Sequence, residues 1–333
     1  MAELRLQTAA SGRIARDKYD LNTVQEAIQE QGLAWLDILR PDDEVRQFLL
    51  EKMKFDELAV EDVFGPADTT AQKFMNHRFI VINARDADNQ LDTEPVAIFI
   101  KENLLITVRH YSIPALKKFR LRFKKADEED LALGIDFLLY ELLDAIADDW
   151  TPILNSYSRQ LDQLEFQVFD PSKKYDNILE SLHDLKRYLR EASKSIESLN
   201  TVTMRLLKPN ERLIGSGAER YFSDLNQLSV ALVKRAKNYS SGATSARDSY
   251  LSNISMQLAE SNAQLTEVMT TLTIIGAIML PLTLIAGIFG MNNEDLPLSQ
   301  VGGFWGIIAI MLAFACIMLT FFWRRGWLKT YEG

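Results

Sequence analysis

From Val268 to Asn293 the chain carries no charged residue, and from Leu296 to Trp323 it carries none again; only Glu294 and Asp295 stand between the two stretches. About 20 consecutive apolar residues cross the ~30 Å hydrocarbon core of a bilayer as a helix. The pattern predicts a two-span hairpin, with a first transmembrane helix over 266–292, an external loop over 293–303 and a second transmembrane helix over 304–323. Everything upstream alternates polar and apolar positions as a water-soluble region does.

Within that region the period changes once. Residues 1–130 read as a mixed α/β domain. Ala34 to Leu39, Phe79 to Ala84, Val96 to Ile100 and Leu104 to Arg109 are strand candidates, and Lys101-Glu102-Asn103 reads as a hairpin turn between the last two. Pro41-Asp42-Asp43 opens a helical run to Met53, and Leu58 to Val63 reads as a short helix stopped by Gly65-Pro66. From Ala132 the period becomes helical. One run extends to Phe169, with Pro152 inside it predicting a kink, and a second covers Tyr175 to Lys208. A third begins near Glu219 and has no firm stop before Met291, with Gly242 and Gly215-Ser216-Gly217 as its weak points. Unbroken from Arg220, it is on the order of 100 Å long. Residues 131–265 are thus expected to form long helices and a stalk that leads into the first span.

Charge orients the hairpin. The turn holds only acids, whereas the tail 324–333 holds Arg324, Arg325 and Lys329. Basic flanks stay on the cytoplasmic side, so both termini and the soluble region are expected inside the cell, in an inner or plasma membrane. No cleavable leader is expected at the N-terminus. The net charge of −9 disfavours nucleic acid as a partner and suits a protein that handles cations. Cys316 is the single cysteine, so no intrachain disulfide forms. His77, His110 and His183 lack metal-ligand spacing. Neither phosphate-cradling glycine motif, no nucleophile elbow and no His-Glu-x-x-His is present. An enzyme and a nucleotide-driven pump are therefore not expected.

One apolar hairpin cannot enclose a polar path; several copies around an axis can. Thr266, Met269, Thr273, Gly276, Leu280, Thr283 and Gly287, with Leu272 beside them, recur at three- and four-residue spacing and share one helix face. Such a face either lines a pore, with bulky apolar rings as constrictions, or lets helices pack closely through its small residues.

The stretch Met279-Leu280-Pro281-Leu282-Thr283-Leu284-Ile285-Ala286-Gly287-Ile288-Phe289-Gly290-Met291-Asn292 resembles the CorA family of divalent-cation transporters. Leu58 to Val63, Leu138 to Ile146, Tyr250-Leu251-Ser252 and Arg324-Arg325-Gly326-Trp327-Leu328 are similar to further segments of it. The resemblance implies an α+β membrane protein assembled as a homopentamer, with a cytoplasmic α/β domain, a long helical stalk and a central pore. It implies a selectivity filter of Gly290, Met291 and Asn292, in which a ring of Asn292 amide oxygens holds a hydrated ion. Mg²⁺ gives up its water reluctantly, which suits such a ring. Thr283 and Gly287 then line the pore, Leu280 and Met269 constrict it, Glu294 and Asp295 gather cations outside, and Arg324, Arg325 and Lys329 ring the inner end. Thr266 stands where many members carry asparagine at the inner throat; Asn262, one turn earlier, is the alternative.

The resemblance also implies feedback by intracellular Mg²⁺ held between subunits. Tyr221-Phe222-Ser223-Asp224 is similar to a stalk segment that supplies one regulatory carboxylate, which makes Asp224 the candidate sensor. Asp86, Asp88 and Asp92 are the candidate partners. Solvated surface acids are the competing reading for these. The acids Asp127 to Asp130, Asp144, Asp148 and Asp149 either gather cations on the cytoplasmic side or stand as solvated helix faces; the basic run Lys117 to Lys125 is available to pair with them and is assigned no function. The expected activity is passive Mg²⁺ influx driven by membrane potential. The alternatives are a Zn²⁺, Co²⁺ or Ni²⁺ transporter, proton-linked or not, on the same scaffold, and a non-conducting membrane-anchored sensor.

Overall fold

The computed structural model describes residues 2–8, 32–87, 92–126, 128–170, 175, 177–291 and 303–327. These fall into two compact units, Met1–Tyr250 and Leu251–Gly333. The first is built on a six-stranded sheet: β1 Glu3–Thr8, β2 Ala34–Leu39, β3 Thr70–Lys73, β4 Arg78–Arg85, β5 Thr93–Lys101 and β6 Leu104–Arg109, in the order β1-β2-β6-β5-β4-β3. Only β2 and β6 pair in parallel. The helices among the described residues are α1 Asp43–Gln47, α2 Glu57–Phe64, α3 Pro114–Lys125, α4 Glu128–Ala132, α5 Ile135–Phe169, α6 Ile178–Leu206, α7 Glu219–Phe289 and α8 Gly303–Arg324.

Strands buried on both faces read as largely apolar runs, and the four strands anticipated from sequence are of this kind, with buried Asp37, Thr107 and Arg109 as exceptions in β2 and β6. Along β4 and β5 successive side chains enter different cores. Ile80, Ile82, Ile98 and Ile100 join a cluster with Phe119, Leu139, Leu142, Leu185 and Leu199 of α3, α5 and α6. Phe79, Val81 and Phe99 join another with Val45, Leu49, Val60 and Val63. The sheet is therefore sandwiched between helices. Edge strands β1 and β3 escaped the sequence reading because both are at least half polar and β3 is only four residues long.

Local chemistry sets the element ends. Asp42 and Asp56 cap α1 and α2 through their side-chain oxygens, satisfying amides that a helix start leaves unpaired. The helical run expected to Met53 holds, with its last turn, Phe48–Lys52, in π geometry. The helix expected to start at Ala132 is interrupted at Gly134, whose φ of 82° belongs to the left-handed region that glycine tolerates. Pro152 lies inside α5 without ending it.

A buried ion cluster ties the sheet to α3. The Asp37 carboxylate, 1% exposed, accepts from Thr107 Oγ1 at 2.9 Å, Arg109 Nε and Nη2 at 3.1 and 2.9 Å, and Arg120 Nη2 at 2.9 Å. A buried charge is tolerable only when paired and hydrogen-bonded in this way.

The first part of α7 belongs to this unit. Leu225, Leu232, Ala236, Ala243 and Ala246 join the core that holds Leu154, Leu161 and Leu164 of α5. Gly242, a weak point in the sequence reading, does not break the helix: a Cβ there would stand 2.9 Å from the Leu161 side chain, so glycine answers to a close helix approach.

Candidate functional site

In the second unit the apolar part of α7 and all of α8 qualify as membrane spans by length and hydropathy. Around α7 the faces differ. Ile274 is buried, and Ala277, Ile278, Pro281, Leu282, Ile285 and Phe289 are half-buried. The opposite stripe is open: Thr266, Met269, Leu272, Thr273, Leu280, Thr283 and Gly287 are exposed, and Gly276 is intermediate. Leu280, in mid-span, is 74% exposed. The structure thus brings the candidate lining residues together on one face of α7 that is largely exposed among the described residues.

Two details define what that face offers. The hydroxyls of Thr266, Thr273 and Thr283 each donate to the carbonyl four residues back, at 2.7, 2.7 and 2.8 Å. A hydroxyl whose proton is committed to its own helix presents only oxygen lone pairs outward, the polarity that a cation or its hydration water accepts. Second, a Cβ at Gly276 or Gly287 would meet nothing within 4 Å, so packing inside one chain does not demand either glycine. Gly290 differs. Its Cβ would lie 3.0 Å from the Ala286 carbonyl oxygen, while its amide donates to that same carbonyl at 2.9 Å. Glycine is what lets the helix close tightly just before Met291, which is 64% exposed.

Asn292, Glu294 and Asp295 lie outside the described residues, as do Asp88 and Lys329. Arg324 ends α8, and the Arg325 amide just beyond it donates a hydrogen bond to the Phe321 carbonyl at 3.0 Å.

The acidic candidates of the soluble unit occupy two settings. Asp224 is exposed on α7. Its charge helps to raise Tyr140, whose hydroxyl is pushed up to about 12 by burial first and then by Asp144, Glu141 and Asp224. Burial is also the main cause that raises Asp144, with Arg122 opposing it. Asp86 is buried, its amide bonds the Asp92 carbonyl at 3.0 Å, and burial, Asp86 and Asp92 together raise Glu94. Among the described residues no group of three or more histidine, cysteine or carboxylate side chains forms a metal site within one chain.

Pairing, one of the readings open to the basic and acidic runs, is present among the described residues. Arg122 reaches Glu141, Asp144 and Asp148, and Lys118 reaches Asp149 at 3.0 Å. The acids sit three and four residues apart on one face of α5, a spacing that signals a shared partner.

An α/β unit, a very long helix running into an open oxygen-bearing stripe, and a second apolar helix define a membrane transport protein. The chain belongs to the CorA-like Mg²⁺ transporter protein family, whose model matches residues 30–325, and is thereby a transporter of divalent metal ions. It is 27% identical over 311 residues to the putative metal ion transporter YfjQ of Bacillus subtilis, covering 92% of this chain and 94% of that one. It is 29% identical over 278 residues to the cobalt/magnesium transport protein CorA of Thermotoga maritima, covering 81% and 76%. The complete structure of the CorA magnesium transporter from Methanocaldococcus jannaschii has the same fold, with a TM-score of 0.69 at 23% identity, covering 98% of this chain and 99% of that one.

Proposed function

We propose that the chain is a homopentameric Mg²⁺ influx channel of the inner or plasma membrane, with both termini in the cytoplasm. Five copies of the first span turn the open stripe toward a shared axis. The observation that carries this reading is that stripe: an exposed helix face, wrong for water by its apolar surroundings, with threonine oxygens at regular intervals and glycines that no intrachain contact requires. Rings of Thr266, Thr273 and Thr283 offer acceptors to the hydration shell of a passing ion. Rings of Met269 and Leu280 form dewetting constrictions, and Leu272 flanks them.

At the outer mouth, Gly290, Met291 and Asn292 form the filter, and the Asn292 amides select by size and hydration rather than by stripping the ion. Glu294 and Asp295 raise the local cation concentration. Arg324, Arg325 and Lys329 circle the inner end, next to membrane lipid headgroups. Transport is passive; each charge gains about 2.3 kcal/mol per 100 mV on moving inward. Intracellular Mg²⁺ closes the channel by binding between subunits, with Asp224 facing Asp86 or Asp88 of a neighbour. No nucleotide takes part.

A second reading has Co²⁺ as a further substrate, because the Thermotoga maritima relative is named for both metals; Ni²⁺ and Zn²⁺ follow the same test. The test is ion uptake into proteoliposomes loaded with a metal-sensitive dye, with and without a pH gradient. Uptake of Mg²⁺ that follows the membrane potential, and its abolition in Asn292→Ala with the assembly mass unchanged, is the expected result. Zinc uptake that tracks the proton gradient, or wild-type Mg²⁺ uptake in Asn292→Ala, would overturn it.

A further inference from the structure

The C-terminal end of α8 is closed by a defined turn. The Trp327 amide donates to the Phe322 carbonyl and the Gly326 amide to the Trp323 carbonyl, both at 3.0 Å. Gly326 has φ 79°, a left-handed conformation that strains any side chain. This crossed pair of bonds with a left-handed glycine is a Schellman turn. The apolar contact that accompanies such turns is also present, since the rings of Phe322 and Trp327 stack with centroids 5.4 Å apart. The turn fixes the direction of the indole, folding it back toward the membrane unit.

There the indole is 50% exposed, so it is no core side chain. It walls a cavity of about 540 Å³ whose other lining residues are Asn262, Leu265, Thr266, Met269, Thr270 and Thr273. Three of these six, Thr266, Met269 and Thr273, belong to the open stripe, and Asn262 stands one turn before it. An aromatic that merely anchors a span at the lipid headgroups has no reason to face that stripe. A rigid plate held by a glycine turn beside it has one: it limits how far this end of the first span can lean.

We propose that Trp327 is a positioning residue of the inner throat, bracing the Asn262–Thr273 segment from the end of the second span and so setting the opening at Thr266 and Met269. This rests on the pore reading above. Removing the indole enlarges the cavity, and a segment next to a void relaxes into it.

The experiment uses the full-length protein in lipid. A bimane fluorophore is attached at Asn262→Cys in a Cys316→Ser background, since tryptophan quenches bimane only near contact. Strong quenching, relieved by Trp327→Phe, is expected. Mg²⁺ uptake against high internal Mg²⁺ is then expected to rise several-fold in Trp327→Ala and to return most of the way in Trp327→Phe, with assembly mass unchanged in both. Quenching that persists in Trp327→Phe puts the indole elsewhere and overturns the inference, whatever the pore does. Relieved quenching with wild-type uptake in Trp327→Ala leaves a membrane anchor and overturns the positioning role. A parent protein that quenches but carries no Mg²⁺ at all marks failure of the pore reading instead, and the positioning role falls with it.

Discussion

His77 shows how much a single side chain reports about the soluble unit. It is 4% exposed, stacks on Phe74 at 4.8 Å and lies against Phe55 and Phe99. Its Nδ1 pairs with Asn76 Oδ1 at 2.6 Å, and Nε2 is buried without a hydrogen-bond partner. Burial lowers its pKa below the ordinary 6.5, with Lys101 adding to the effect and Asp56 opposing it. The unfolded chain therefore binds the proton more readily than the folded one, so stability rises with pH. It is complete above about pH 6.5 and drains away as the pH falls from there toward the folded value, by at most about 1.4 kcal/mol per pH unit. Thermal unfolding of the full chain should lose midpoint as the pH falls below about 6.5, and His77→Phe should flatten that slope. An unchanged slope would mean that the ring is wet or paired. From sequence His77 was legible only as a histidine without metal spacing; its aromatic cage needs β3, β4 and β5 side by side.

At the scale of elements, strands buried on both faces and helices with clear caps were legible because each carries its own signal. What sequence missed depends on tertiary contact. Gly134 ends a helix through backbone conformation, and β1 and β3 exist because a neighbouring strand offers a ladder. Gly242 is the clearest case. It looked like a weak point in a helix, where glycine costs about 1 kcal/mol relative to alanine, yet its missing side chain is what lets α7 approach Leu161. Gly242→Val should destabilise the soluble unit by about 1–3 kcal/mol through overpacking, read as a lower denaturant midpoint. Adding Leu161→Ala should recover part of the loss, because the two changes share one space. Strict additivity would place the strain elsewhere.

For the whole molecule, the two apolar spans and the shared face of the first were legible from charge-free runs and spacing. The proposed outer mouth rests on the resemblance alone, since Asn292 and the acids after it fall outside the described residues. The proposed regulatory pair has the least behind it in either sequence or fold. Asp224 and Asp86 belong to different acidic settings within one chain, so a shared ion needs two subunits. Bringing carboxylates together without a cation is costly, and Mg²⁺ should therefore protect the assembled soluble units from protease. Asp224→Lys should weaken that protection, whereas protection equal to wild type would remove Asp224 as the sensor.

The central claim is that the open stripe of the first span faces an ion path. Thiol accessibility during transport tests it most directly, in a Cys316→Ser background reconstituted in liposomes. A cationic thiol reagent should block Mg²⁺ uptake by Thr283→Cys, on the stripe, and leave uptake by Ile278→Cys, on the half-buried opposite face, unchanged. Equal block at both positions, or block at Ile278→Cys alone, would contradict the account.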